Sequence, residues 1–281
     1  ILVVEKDPTL EFSSTSRTNN SIRQQFSSKL NIEISKFSSN YISNFKSYME
    51  NDERISNIMF NKIGYLYLAD DINKIKLLKQ NQKLQNSLNI PTKIYDPQKL
   101  LEKFPYLNVT NLAGGSYNNH NEGYFDSSTV LSWWKKKSAE KGVEFIKNEV
   151  VRIILDSKKI NAISLKDGSN LNVGNFVNAT GTKASNFDKN HFLKIPVEPR
   201  KRYTFIFKSE MKIKNSLPLI IDPTGIHFRS DGDQFLCGCA PELDNAAAYD
   251  DFTVDYELWE EKIWPILANR VPNFEKIKLV N

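Results

Sequence analysis

Ile1-Leu2-Val3-Val4-Glu5 opens the chain, and the reading of these residues decides the fold. An unbroken apolar run closed by a carboxylate reads as a strand buried on both faces, the kind from which parallel sheets are built. In a dinucleotide-binding βαβ unit, an acidic residue at the end of the second strand accepts hydrogen bonds from the ribose of the adenine half. A first strand and a Gly-rich turn stand ahead of it. Glu5 sits where that acid belongs, so the residues read as starting inside a fold. Lys278-Leu279-Val280-Asn281 likewise reads as the first part of another strand. The expectation is an internal stretch of a larger enzyme, with the first strand and its Gly-rich turn ahead of Ile1.

Composition bounds the class. With 281 residues, 40% hydrophobic and 25% charged, the chain can bury a large core and is long enough for two domains. No apolar run approaches the length that spans a bilayer, and the opening run is too short and too acidic at its end for a signal peptide; the cytoplasm is the default compartment. The formal net charge of +5 is scattered over surface-type helices at 73–85 and 135–141. A solvated basic face is therefore read in preference to a nucleic-acid partner. Cys237 and Cys239 flank Gly238 on one face of a strand, and no second Cys or His pair completes a zinc site. They read as buried thiols, with no metal and no disulfide framework expected.

Hydrophobic period then organises the chain. Residues 7–28 are polar and rich in Ser, Thr and Asn, a long loop with capping chemistry. Ile34, Phe37, Tyr41, Phe45 and Tyr48 fall at helical spacing and predict an amphipathic helix over 31–49. Two strand-like runs, 58–60 and 65–68, flank a turn at 61–64. Helices are predicted near 71–88 and 97–103, and 111–126 reads as a Gly- and Asn-rich loop. Asp126 caps a helix that Gly142 closes. Strands follow at 143–146, 150–155 and 159–165, near Leu171, and at 175–179. From Pro196 onward, alternating strands at 203–207, 219–221, 226–228 and 235–237 precede a helix at 256–268, which reads as an antiparallel sheet with a covering helix. The fold class is α/β, or α+β taken as a whole: an incomplete Rossmann-like layer and an antiparallel-sheet domain.

An ordered set of motifs carries the function. Val3-Val4-Glu5-Lys6-Asp7, Ser21-Ile22-Arg23-Gln24-Gln25-Phe26, Glu122-Gly123-Tyr124-Phe125-Asp126, Asn178-Ala179-Thr180-Gly181 and Pro196-Val197-Glu198-Pro199-Arg200-Lys201-Arg202-Tyr203 occur in this order along the chain. In kind and in order they resemble FAD-dependent amine oxidoreductases of the D-amino-acid oxidase and sarcosine oxidase family, dimethylglycine dehydrogenase-like enzymes among them. The resemblance covers almost the whole chain. It implies an FAD-binding domain over 1–57 and 124–195, a substrate domain over 58–123 and 196–274, and the start of a return to the first domain at 275–281. It also implies that a Gly-containing segment near the flavin follows Asn281. Without its flanks, the chain alone is expected to be inactive and to hold FAD weakly.

The resemblance implies roles for single residues beside what their chemistry allows. Glu5 accepts from ribose hydroxyls and Lys6 lies at the adenine edge. Ser14 and Thr15 offer hydroxyls to a pyrophosphate, the alternative being a loop that merely caps a helix. Asn19 and Asn20 match residues beside the flavin ring. Val150 matches a backbone contact to adenine, and Ala179 and Gly181 match the small residues that let backbone approach the dinucleotide. The family usually carries an aromatic two residues after that Gly, where this chain has Lys183. Arg23 matches the arginine that grips a substrate carboxylate through two parallel hydrogen bonds, the alternative being a surface ion pair. Tyr203 and His227 match substrate-side positions, with a satisfied core histidine as the alternative for His227. His120 and His191 suggest nothing, and no catalytic acid-base set stands out.

The implied reaction is oxidation of the carbon next to the nitrogen of an amino acid or N-methylated glycine, with a small-molecule amine as substrate and oxygen, a quinone or a flavoprotein as electron acceptor. Two other readings stay open: a non-catalytic relative that binds a partner protein as an assembly factor, and a flavoenzyme acting on a hydroxy acid.

Overall fold

The computed structural model describes residues 1–157, 159–188, 195–211, 213 and 216–281; His191 lies outside them. In chain order its elements are β1 (Leu2–Glu5), β2 (Ser21–Ile22), α1 (Lys29–Ser43), α2 (Phe45–Tyr48), β3 (Phe60–Asn61), β4 (Tyr65–Ala69), α3 (Ile72–Ser87), β5 (Lys93–Tyr95), α4 (Pro97–Lys103), β6 (Gly114–Asn118), β7 (Gly123–Phe125) and α5 (Ser127–Glu140). There follow β8 (Glu144–Lys147), β9 (Val150–Asp156), β10 (Lys159–Leu165), β11 (Asn170–Asn172), β12 (Tyr203–Ser209), β13 (Leu219–Ile221), β14 (His227–Asp231), β15 (Gln234–Cys239), α6 (Trp264–Arg270) and β16 (Ile277–Leu279). The chain divides into two compact units. One comprises Ile1–Thr18, Ser128–Lys201 and Leu243–Thr253, the other Asn19–Ser127, Arg202–Glu242 and Val254–Asn281. Residues 19–57, grouped by the sequence reading with the cofactor domain, pack within the second unit.

In the first unit β1 runs parallel to β8, Leu2 opposite Glu144 and Glu5 opposite Lys147. The antiparallel strands β9, β10 and β11 form a meander in which Ala162, Ile163 and Leu165 are buried. The strand expected at 175–179 is absent, because this segment finds no ladder partner among the described residues. Asn178 instead turns the chain, its Oδ1 accepting from the Thr180 N–H (3.2 Å) and hydroxyl (2.7 Å).

The second unit is built on an eight-stranded sheet ordered β16-β12-β15-β14-β13-β4-β6-β5, antiparallel except where β13 meets β4. Residues in register on adjacent strands share a face. Leu66, Ile220, Phe228, Cys237 and Phe205 form one such row, all buried, and Leu100 of α4, Phe104 just after it and Leu267 of α6 join them in the core. Phe207 meets Phe274 edge-on at 5.0 Å between centroids and Trp259 at 5.7 Å. Burying each such aromatic stabilises the fold by about 2–3 kcal/mol.

Two sequence expectations yield to packing. The helix expected over 31–49 breaks at Asn44, whose side-chain amide donates to the Asn40 carbonyl (2.9 Å) and competes with the helical ladder. Its buried stripe is Ile32, Ser35, Ser39 and Ile42, while Phe37 stays 61% exposed. Small hydroxyls on that stripe let α1 approach polar groups: Ser35 Oγ donates to the Arg23 carbonyl, and Gln24 Nε2 donates to Ser39 Oγ at 3.1 Å. The segment 111–126, read as loop, contains β6 and β7, and its glycines are what permit the pairing. A Cβ on Gly115 would lie 2.6 Å from the Tyr67 carbonyl oxygen. One on Gly123, at φ +154°, would lie 1.8 Å from that of Asn61. Gly123→Ala is therefore expected to lift β3 off β7 and cost roughly 3 kcal/mol or more, read as a lowered urea midpoint. An unchanged midpoint would contradict the close approach.

Candidate functional site

The second face of the large sheet is polar. Thr204, Gly238, His227, Ile221, Tyr67 and Ser116 form a continuous row on it, one residue out of phase with the core row. Tyr67 and His227 thus stand two strand spacings apart, about 10 Å between backbones. Gly238 makes room for the imidazole, since a Cβ there would lie 3.0 Å from His227 Nε2. Asn19 crosses this face: its Nδ2 is 3.4 Å from His227 Nε2, and its Oδ1 accepts from the Thr204 hydroxyl at 3.1 Å. Arg229 donates to the Asn19 carbonyl (3.2 Å) and to Asp231 Oδ1 (2.7 Å), and its guanidinium lies 3.8 Å from the centre of the Tyr124 ring. Burial lowers the His227 pKa, which keeps the ring neutral at neutral pH.

Arg23 projects onto the same face. Its NH1 donates to Tyr67 Oη at 2.7 Å, and its guanidinium carbon lies 4.4 Å from the centre of the Phe26 ring. No carboxylate among the described residues pairs with it. Arg23 lines an open cleft of about 540 Å³ together with Ser21, Phe26, Ile34, Ser35 and Tyr65. Burial pushes Tyr65 up to about 12 and raises Tyr67, so both phenols remain protonated donors.

Glu122 lies behind Arg23, 0% exposed. Its Oε1 accepts from the N–H groups of Gln24 and Gln25 (2.9 Å for Gln25), and its Oε2 accepts from Gln25 Nε2 at 3.0 Å. Burial pushes its carboxyl up to about 7 against the pull of these donors. In the unfolded chain the group ionises near its ordinary 4.5, so the folded state keeps the proton longer. The contribution is full below that value and is lost as pH rises toward 7, by roughly 3 kcal/mol. Urea unfolding of the wild type should weaken between pH 4.5 and 7 relative to Glu122→Gln, and parallel curves would show that the shift is absent.

The structure separates other residues that the sequence grouped. Tyr203 pairs with Cys239, and alternation turns its ring onto the core face, 6.3 Å from Phe205; Thr204 takes the polar face, across Gly238 from His227. Asn20 adopts φ +53°, and its Oδ1 accepts from Ser127 Oγ at 2.6 Å, so its side chain holds a turn. Tyr67, Glu122 and Arg229 carried no role in the sequence reading. The Tyr65-Leu66-Tyr67-Leu68 alternation was the available signal for the first of these, since it puts both tyrosines opposite the core.

In the first unit, Glu5 ends β1 with one carboxylate oxygen accepting from the Asp7 N–H at 2.9 Å. The Ser14 and Thr15 hydroxyls make no hydrogen bond among the described residues. Val150 begins β9, Ala179 is exposed, and Gly181 takes φ +58° with open space where a Cβ would stand. Lys6 lies beside Lys183, and that neighbour, with some burial, holds the Lys183 ammonium below the usual lysine range. The Lys183 ammonium is also 5.8 Å from the centre of the Tyr249 ring. Taken one by one, an accepting carboxylate at a parallel strand end, two hydroxyls, two neighbouring ammonium groups and an unhindered glycine fit in kind the adenosine and phosphate part of a dinucleotide.

The architecture, mixed sheets with covering helices, has the fold of solved glycine oxidases. The chain belongs to the family of FAD dependent oxidoreductases (DAO), whose model matches residues 1–280. It is 32% identical to FAD-dependent oxidoreductase domain-containing protein 1 of Bos taurus over 311 residues, covering 99% of the chain and 64% of the relative. The chain thus spans a little under two thirds of that relative's length. Among solved structures, L-proline dehydrogenase from P. horikoshii superposes with a TM-score of 0.80 at 23% identity, over 95% of this chain and 70% of that one. Glycine oxidase from Geobacillus kaustophilus gives 0.76 at 16%, over 100% and 74%. Among the described residues no helix is long and apolar enough to cross a membrane.

Proposed function

We propose that the chain is part of an enzyme that oxidises the carbon next to the nitrogen of an amino acid or N-methylated glycine, with Arg23 and Tyr67 holding the substrate's carboxylate. The observation that carries this reading is a guanidinium without an acidic partner among the described residues, fixed between a phenol and an aromatic face at an open cleft. The names of the solved relatives, a proline dehydrogenase and a glycine oxidase, support the same substrate class.

Bound FAD supplies a two-electron acceptor for what is formally a hydride from that carbon. The chain's own residues bind and orient. With NH1 engaged on Tyr67, Arg23 keeps its other N–H groups for a carboxylate. Tyr67 accepts from Arg23 and retains its own proton to donate to the same anion. His227, neutral, offers one ring nitrogen beyond the one facing Asn19. In the first unit Glu5 takes the ribose, Lys6 and Val150 the adenine edge, Ser14 and Thr15 the phosphates, and Ala179 and Gly181 the close backbone approach. Asn19 and Asn20 belong to the flavin side by the family resemblance alone, since their side chains and carbonyls are engaged within the chain.

Only a neutral amine can give up the hydride, so kcat/KM in the FAD-loaded protein should rise tenfold per pH unit and level off above the amine's apparent pKa. A flat profile would refute amine oxidation. Anaerobic mixing with N-methylated glycines should bleach the flavin, whereas bleaching by hydroxy acids alone would assign the site to those substrates instead.

A further inference from the structure

We propose that Glu122 is a positioning residue for Arg23, fixing the guanidinium against Tyr67 and so setting how tightly the cleft holds a carboxylate. This rests on the reading of Arg23 given above. Arg23 is followed at once by two residues whose N–H groups converge on Glu122 Oε1. Consecutive N–H groups on one oxygen form a small anion-binding nest, which a carboxylate fills better than a neutral amide. The grip extends to the strands beneath. Gln25 Nε2, donating to Glu122 Oε2, also donates to the Tyr65 carbonyl at 2.9 Å, and Gln25 Oε1 accepts from Ser116 Oγ at 2.8 Å. Ser116 is the register partner of Tyr67. On the other side of Arg23, Ile22 pairs with Gly123, the residue next to Glu122, and the Arg23 carbonyl accepts from Ser35 Oγ.

Glu122 therefore joins the backbone that carries Arg23 to the strand that carries Tyr67. A side chain that only stabilised the fold would satisfy the same donors without mattering to the ligand. Glutamine in its place keeps the volume but turns an NH2 toward Gln25 Nε2, donor against donor, and the turn after Arg23 must shift to relieve it.

The test is acetate binding to the full FAD-loaded protein at pH 8, followed by ligand-observed NMR, with acetamide as the uncharged control. Arg23→Ala should weaken acetate at least tenfold. Glu122→Gln should weaken it about fivefold, leave acetamide unchanged, and add nothing in the Arg23→Ala background. Normal acetate binding by a folded Glu122→Gln, or an additive double variant, overturns the proposal while leaving the reading of Arg23 intact. Normal binding by Arg23→Ala overturns that reading and the proposal with it. If Glu122→Gln does not fold, Glu122→Asp, which keeps the charge and shortens the reach, carries the same expectation and the same refutation.

Discussion

Replacing Arg23 with alanine is expected to lower kcat/KM for an amino-acid substrate by about 10²–10³-fold while leaving the corresponding amine without a carboxylate within a few-fold of wild type. Hydrogen bonds to charged groups contribute about 1.5–3 kcal/mol each, and the fork lost with Arg23 makes two. At about 1.4 kcal/mol per factor of ten, even partial solvent compensation leaves a loss of that size. Arg23→Lys should fall between, because an ammonium restores charge without the planar pair of donors. The comparison of two substrates is what gives the experiment its force. Arg23 also stacks on Phe26 and bonds Tyr67, so a purely structural role would slow both substrates alike. Equal losses on both would remove Arg23 from the carboxylate site.

What the sequence disclosed follows from which forces are local. The family and its cofactor were legible because they reside in short ordered motifs, and strands such as Tyr203–Ser209 because alternation is a property of neighbouring residues. The polar face of the large sheet was only half legible. Tyr67, Ile221, His227 and Thr204 come together through pairing of strands far apart in sequence, and the parallel meeting of β13 with β4 sets their register. Nothing local encodes that. Tyr203 illustrates the cost of a one-residue step: assigned to the substrate side, it turns onto the core face, and Thr204 takes the polar face, across Gly238 from His227. The buried stripe of α1 was misread for another reason, since serines that approach backbone count as exposed in any hydrophobic period.

The second large effect lies at the turn that leads into His227. Asp222, 1% exposed, accepts from Arg270 Nε at 2.7 Å with one oxygen, and from the Thr224 N–H (3.0 Å) and hydroxyl (2.8 Å) with the other. Arg270, at the end of α6 and 8% exposed, also donates to the Asn108 carbonyl. Asp222→Ala strips a buried guanidinium of its counter-charge, and removing one partner of such a pair costs about 3–5 kcal/mol. The loss should appear as an earlier urea midpoint followed by tryptophan fluorescence. Adding Arg270→Met should recover part of it, because with both charges gone only an apolar gap remains to be filled. If the double variant were instead less stable than Asp222→Ala by a further full increment, Arg270 would be supporting Asn108 and α6 independently of Asp222. Should recovery be seen, the pair's contribution is specificity of geometry more than net stability: it holds the 222–225 turn in the one conformation that brings His227 into register with Ile221 and Tyr67.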